Sequence, residues 1–331
     1  PACAATLVSL FQNAYCPLRI HVGVCQQFDA LADTELMDQL QRLCGTQGLA
    51  VWRSQIAVLN SPASEARGPM HARSLIETHL YGGQTFYLVC DSHMRFVKHW
   101  DVLLLQLYRQ AQQSSPRPVL TSYCPGFTTL PAWKHMDPEA ADAASNDQRS
   151  WPTQSFTAPS GIPSTFLRFR QFRHRPGSSV WDLEGPAFAS PTCVSGGPWP
   201  SLFVVSTFRF SHADAMYRCP YQSVYPYTFF GEDHLTSVWL WTRGYDFFHL
   251  PRVVALHDWS RDRPTFWENW KSATDRIAPN VVAERQALAR RSHVRLLMSL
   301  DWPRHRFRQP VTDVELIRQR AVAPTRTVAQ Y

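Results

Sequence analysis

The stretch from Thr85 to Asp101, TFYLVCDSHMRFVKHWD, constrains the fold of this chain more than any other. Its apolar run Phe86-Tyr87-Leu88-Val89-Cys90 has the length and composition of a buried strand. The run stops at Asp91-Ser92-His93, a carboxylate and an imidazole two residues apart. In extended backbone, side chains at i and i+2 point the same way, so both can reach one ion beyond the strand's end. A carboxylate oxygen with an imidazole nitrogen suits a borderline divalent cation such as Mn2+ better than a purely oxygen-seeking one. Taken alone, the triplet is a weak signal that reads more readily as a loop-capping Asp beside an exposed His. The surrounding chain has to separate the two.

Periodicity places this strand in an alternating series. A helix is expected from Ala4 to Ala14, amphipathic with Leu7, Leu10 and Phe11 on one face. A strand follows from Arg19 to Cys25, a helix from Leu31 to Cys44 and a strand from Val51 to Leu59. The Gly68-Pro69 turn leads into a helix from Met70 to Leu80 that carries Arg73. Beyond the central strand come a helix from Trp100 to Gln113 and a strand from Pro118 to Cys124. Alternation of this kind predicts an α/β fold with a largely parallel sheet flanked by helices. Ligands of such sheets bind beyond the carboxyl ends of the strands, where Asp91 and His93 fall.

The second half begins with a change of texture. From Asp137 to about Pro200, Pro, Ser, Ala and Gly dominate, which reads as an insertion or long loop over the active face. Regular structure resumes with a strand over Ser201 to Phe210 and a Tyr-rich turn from Pro220 to Pro226. Gly231-Glu232-Asp233 then opens a helix to about Thr242, stopped by Gly244. Acidic residues there favour a helix N-terminus, so capping competes with a catalytic role for Glu232 and Asp233. Val253 to Leu256 is a further strand, ending in His257. Trp239, Trp241 and Tyr245 are expected in the core. A basic helix covers Ala283 to Leu300, and a weaker one lies near Asp313 to Arg320.

Bulk composition excludes some classes. With 331 residues, 44% hydrophobic and 18% charged, the chain is globular rather than disordered. No apolar run approaches the roughly 20 residues of a membrane span, and no charged-then-apolar leader opens the sequence. The eight Cys occur singly, without a Cys-x-x-Cys pair, which argues against a zinc ribbon and favours free thiols and a reducing compartment. A net charge of +7 admits an anionic partner, with much of the excess in Arg168 to Arg175 and Arg290 to Arg308. Arg and Phe alternate in the first of these, a pattern that binds single-stranded nucleic acid or makes an amphipathic strand.

Five motifs in order carry a resemblance: ARGPMHAR (66–73), DSHMRFVKHWD (91–101), TSYCPGF (121–127), FGEDHLTSVWLWTRGYDFF (230–248) and ALHDWSR (255–261). Together they resemble the polypeptide N-acetylglucosaminyltransferases. That family includes protist enzymes that modify hydroxyproline on a ubiquitin-ligase adaptor subunit and trypanosomatid enzymes that start mucin-type glycans on Thr. The resemblance covers most of the chain and implies a GT-A fold, read as one domain over 1–331. Within it, 1–136 would be the nucleotide-sugar half, 137–200 an insertion, 201–265 the acceptor and metal half, and 266–331 a helical extension.

The resemblance implies Mn2+ on Asp91, His93 and His257, and UDP-GlcNAc held with Arg73, Asp91 and Ser92. Glu232 and Asp233 are its candidates for gripping the sugar or the acceptor hydroxyl. It implies retaining transfer to hydroxyproline, Thr or Ser of a protein acceptor. It also implies a first strand, ending in a Ser-Tyr-Arg-Asp-Pro-like turn, upstream of Pro1. Cys124, where Pro is common, and Asp258-Trp259 depart from the family pattern. The location expected is cytoplasmic, or Golgi if an anchor lies upstream. The competing readings are an inactive nucleotide-sugar or glycan-binding module and, from another class, a nucleic-acid-binding protein; the enzyme reading expects no nucleic acid as partner.

Overall fold

The structure, a computed structural model, describes residues 2–126, 197–229, 231–260 and 279–299, four short strands between 166 and 189, and Arg326. Helix α1 (Ala2–Asn13) opens the described chain and packs against helix α2 (Leu36–Trp52). Every residue of α1 from Ala4 to Phe11 is buried, so it is not the one-faced amphipathic helix its Leu and Phe spacing suggests. Its small residues Ala4, Ala5, Thr6 and Ser9 let other elements approach the side opposite the large ones. Between the two helices lies strand β1 (Val22–Phe28), which pairs in parallel with β2 (Ile56–Pro62). Val51 and Trp52, expected in that second strand, instead close α2, which turns sharply at Gly45 (φ 69°). Only glycine adopts that φ without steric cost.

Helix α3 (Pro69–His79) leads to β3 (Phe86–Cys90), followed by β4 (Met94–Phe96), α4 (Trp100–Gln112) and β5 (Pro118–Thr121). Two hairpin-like pairs, β6 (Phe166–Arg168) with β9 (Ala187–Ala189) and β7 (Phe172–His174) with β8 (Trp181–Leu183), fall in the Pro- and Ser-rich region. Strands β10 (Trp199–Ser201) and β11 (Phe208–His212), helices α5 (Asp214–Arg218) and α6 (Glu232–Thr242), strands β12 (Asp246–His249) and β13 (Ala255–His257), and helix α7 (Pro279–Ser299) complete the order. The side chains of the Arg168–Arg175 stretch, the expected helix near Asp313 and most of the chain beyond Ser299 lie outside the described residues.

The largest sheet has five strands in the order β10-β12-β5-β11-β3. Strands β3, β5 and β12 run one way, while β10 and β11 run against them, so the sheet is mixed. Period-two alternation sorts its side chains into two cores. Phe86, Leu88, Leu120, Phe208, Phe210 and Phe248 join α1, α2 and α4 on one face. Tyr87, Val89, Val119 and Phe247 face α6 on the other, with Leu235, Trp239, Trp241 and Tyr245. Of the three aromatic residues expected in the core, Trp239 and Tyr245 are buried there and Trp241 is half-buried against it. Strands β4 and β13 pair as a separate antiparallel ladder, with His257 opposite Met94.

One expected strand is cut short. Of Ser201 to Phe210, residues 202–207 are irregular and the ladder starts at Phe208. The backbone donors there go to side chains instead: Val204 N–H to Ser237 Oγ, Val205 N–H to Thr121 Oγ1 and Ser206 N–H to Asp233 Oδ1. Backbone donors in a buried segment must find some partner. Here side chains supply it, and the segment is free to bend over the end of β3.

Candidate metal and donor site

Asp91 leaves the end of β3 with its N–H donated to the Thr207 carbonyl, which fixes the carboxylate at the sheet's edge. The chain turns through Ser92 and His93 directly into β4. Because β4 pairs with β13, the His93 carbonyl accepts from the Asp258 N–H, and the imidazoles of His93 and His257 stand 4.4 Å apart. His257 Nε2 lies 3.2 Å from Asp91 Oδ2. Ligand atoms of Asp91, His93 and His257 all fall within 4.8 Å of one another, and among the described residues this is the only such group of three. His257 is buried and its Nδ1 has no hydrogen-bond partner. One carboxylate, two imidazoles and a buried ring nitrogen left without a partner form a donor set that fits a borderline divalent ion.

Arg73 projects from α3 into the same corner. Its guanidinium donates to Asp91 Oδ1 at 3.0 Å, to the Ser206 carbonyl at 3.1 Å and to Glu232. Burial alone would lower its pKa, yet Glu232, Asp91 and neighbouring groups hold it above the ordinary arginine range. Asp91 shows the reverse balance. Burial would raise its carboxyl, but the His257 hydrogen bond and the charge of Arg73 hold it below the usual value.

Glu232 and Asp233 are the acidic residues of the first turn of α6, after Gly231 at its N-cap. Glu232 is buried against Arg73, while Asp233 accepts from Ser206 N–H at 2.9 Å and is half-buried. Burial, followed by the charge of Glu232, pushes the Asp233 carboxyl up to about 7. The pair thus divides into a carboxylate committed to an arginine and a second one poised near neutrality. Ser92, expected among the donor-binding residues, has an exposed side chain, and its carbonyl accepts from the Thr6 hydroxyl at 2.9 Å. The structure brings Arg73, Asp91, His93, Glu232 and His257 into one constellation with Asp233 at its border. It sets the Ser92 side chain outward.

Sequence reading missed the groups that hold this corner in place. The Thr6 hydroxyl lies near the carbonyls of Ala2, Ser92 and Met94 and accepts from the Met94 N–H at 2.8 Å. Ser9 Oγ accepts from the Phe96 N–H in the same way. Tyr123 borders the site, its hydroxyl pKa raised by burial and by the charges of Asp233 and Asp91. Trp259 packs against His257 with ring centroids 3.9 Å apart and the rings tilted by 41°, and donates its indole N–H to the Cys124 carbonyl. A hydroxyl inside a helix carries no mark in sequence of the loop it will brace.

The mixed sheet thus carries an acid–imidazole constellation at the carboxyl end of one of its strands. The structure is similar to a crystal structure of GalNAc-T7 with UDP, GalNAc and Mn2+, with a TM-score of 0.55 and 10% identity over 96% of this chain. The likeness covers 51% of that chain, so the present chain spans about half its length. A family model described as glycosyltransferase (GlcNAc) matches residues 35–331, and the chain belongs to that family. No curated protein sequence matches significantly.

Proposed function

We propose that the chain transfers GlcNAc from UDP-GlcNAc to a hydroxyl of a protein acceptor, hydroxyproline or Thr/Ser, with retention of configuration and with Mn2+ held by Asp91, His93 and His257. The observation that carries this reading is the convergence of those three side chains with Arg73 at the carboxyl end of β3. Family membership supports GlcNAc as the sugar.

Breaking the bond from the anomeric carbon to the diphosphate builds negative charge on the leaving oxygens. A bound divalent ion supplies Lewis-acid stabilisation of that charge. Arg73 supplies a fixed positive charge beside the same position, preorganised by Glu232 and the Ser206 carbonyl. Asp233 is the carboxyl available to grip a sugar or acceptor hydroxyl, since Glu232 is already engaged by Arg73. Burial and the charge of Glu232 raise its carboxyl, which favours the protonated form that can donate such a hydrogen bond. The Asp91 and His93 backbone orients the donor set through the β4–β13 ladder rather than through a mobile loop.

The test is Mn2+-dependent turnover of UDP-GlcNAc, with and without hydroxyproline and Thr peptides. Asp91→Ala and His257→Ala are each expected to lower it by at least about 100-fold. Undiminished turnover in either variant removes the metal assignment. Saturable UDP-GlcNAc binding without any product from the unaltered chain turns the reading to a binding module.

A further inference from the structure

Behind Arg73 lies a buried polar layer that the transfer chemistry does not itself use. Its centre is Tyr221, in the segment joining α5 to α6, with 6% of its surface exposed. The Arg73 guanidinium carbon lies 5.6 Å from the centroid of the Tyr221 ring, and that of Arg209 lies 5.1 Å from it. Arg209 comes from β11, on the sheet face opposite Phe208 and Phe210. The Tyr221 backbone N–H donates to Glu77 Oε2 at 2.6 Å, and Glu77 stands one helical turn beyond Arg73 on α3. The Tyr221 hydroxyl lies 2.9 Å from Ser206 Oγ.

Ser206 is what makes this contact consequential. Its carbonyl accepts from Arg73 Nη2 and its N–H donates to Asp233 Oδ1, so one peptide segment holds both the charge-stabilising arginine and the neutral-range carboxyl. Tyr221 touches every member of this arrangement except Asp233. Its ring lies beside the guanidinium, its hydroxyl anchors the Ser206 turn and its backbone docks on α3. A guanidinium within about 6 Å of an aromatic centroid is attracted to the ring, a restraint that adds to the ion pairs holding Arg73.

We propose that Tyr221 is a positioning residue that fixes Arg73 and the Ser206 turn, and through them Asp233, in the geometry needed for transfer. The proposal rests on reading this corner as the GlcNAc-transfer site. It separates the two functions of the residue: the ring steadies Arg73 and the hydroxyl steadies Ser206. Neither function requires contact with the substrate.

Three variants test it in the full chain: Tyr221→Phe, Tyr221→Leu and, as a packing control, Tyr225→Leu, which removes an equally buried tyrosine packed on Trp239 in the same core. Steady-state kinetics with UDP-GlcNAc and Mn2+ are paired with side-chain NMR of 15N-labelled arginine. Tyr221→Phe is expected to lower kcat by about 10-fold, with KM for UDP-GlcNAc held within about 2-fold and the Arg73 guanidinium signals retained. Tyr221→Leu is expected to lower kcat by about 100-fold and to shift the Arg73 and Arg209 signals, through loss of the ring.

Tyr225→Leu is expected to lower the melting temperature comparably while leaving kcat near that of the unaltered chain. Full kcat in Tyr221→Phe, or equal kcat loss in the Tyr221→Leu and Tyr225→Leu chains, overturns the proposal. Failure of the unaltered chain to turn over UDP-GlcNAc sinks the transfer reading instead. Arginine signals that do not move in Tyr221→Leu then still reject the positioning role.

Discussion

Thr6 is a helix residue whose hydroxyl works on a loop 86 residues away in sequence. It satisfies the Met94 N–H and lies against the Ser92 and Met94 carbonyls, the backbone on either side of His93. Thr6→Val keeps the shape and removes those bonds, leaving a buried N–H without a partner. The expected cost is roughly 1–3 kcal/mol of stability, measured by denaturant unfolding, together with weaker Mn2+ binding by calorimetry. An unchanged unfolding midpoint would show that the hydroxyl is replaceable by rearrangement of the loop. The contrast with Asp91 and His93 shows what a sequence exposes at this scale. Those two were readable because strand periodicity aims i and i+2 together at a strand's end. His257 was readable as another strand-end imidazole, and its partnership with them came from the resemblance. Thr6, Ser206 and Tyr221 were not readable, because their partners are set by the β4–β13 ladder and by a segment that leaves its expected strand. Glu232 and Asp233 do stand in the first turn of α6, as the helix-terminus reading expects, and they also meet Arg73 and the Ser206 N–H, partners that elements distant in sequence supply.

Among the elements, α3 is where packing and the site are most tightly joined. It carries Arg73 and Glu77 on one face and rests on β1 at Gly23. A Cβ at Gly23 would lie 3.0 Å from Ile76 Cγ2 and 3.1 Å from Leu80 Cβ. Both contacted atoms sit at or next to a branch point close to the backbone, so neither can swing aside without moving α3. Gly23→Ala is therefore expected to cost about 1–3 kcal/mol through overpacking. The displacement of α3 carries Arg73 with it, so turnover of UDP-GlcNAc should fall as well. A stable variant with full turnover would show that α3 is held from the Glu77–Tyr221 side alone. The elements themselves were largely legible: β3 and α4 fall within a residue of their expected bounds, because apolar periodicity and Gly or Pro punctuation mark them. β4 and β12 were not, since three or four residues are too few to show a period. The expected end of the second helix at Cys44 coincides with Gly45, whose φ of 69° and ψ of 169° are not helical and divide α2 into two segments.

For the whole molecule, charge buried on the α6 side of the central sheet and at the end of β3 ties stability to pH. Glu77 lies on the face with Arg209 and Tyr221, and burial, opposed by the charge of Arg209, pushes its carboxyl up to about 7. Asp233 is raised to a similar value, by burial first and Glu232 second. A carboxyl whose folded pKa lies above its unfolded one binds more protons when folded. Its contribution is then fully present below about pH 4 and is lost as pH rises to about 7. Asp91 acts in the other direction. Its lowered pKa gives stability that is present above the ordinary Asp value and lost as pH falls through the lower folded one. Each raised carboxyl loses stability on the order of 3 kcal/mol between about pH 4 and pH 7, while His234 and His249, lowered by burial to about 4, gain it from about pH 4 to pH 6.5, so the opposing titrations largely offset one another over that interval. Glu77→Gln keeps an oxygen to accept the Tyr221 N–H and removes one of the two titrations. Melting temperatures measured across that interval should then fall less, or rise more, with pH than in the unaltered chain. An identical slope would mean that Glu77 ionises as easily in the folded molecule as in the unfolded one, and that Arg209 compensates its burial in full.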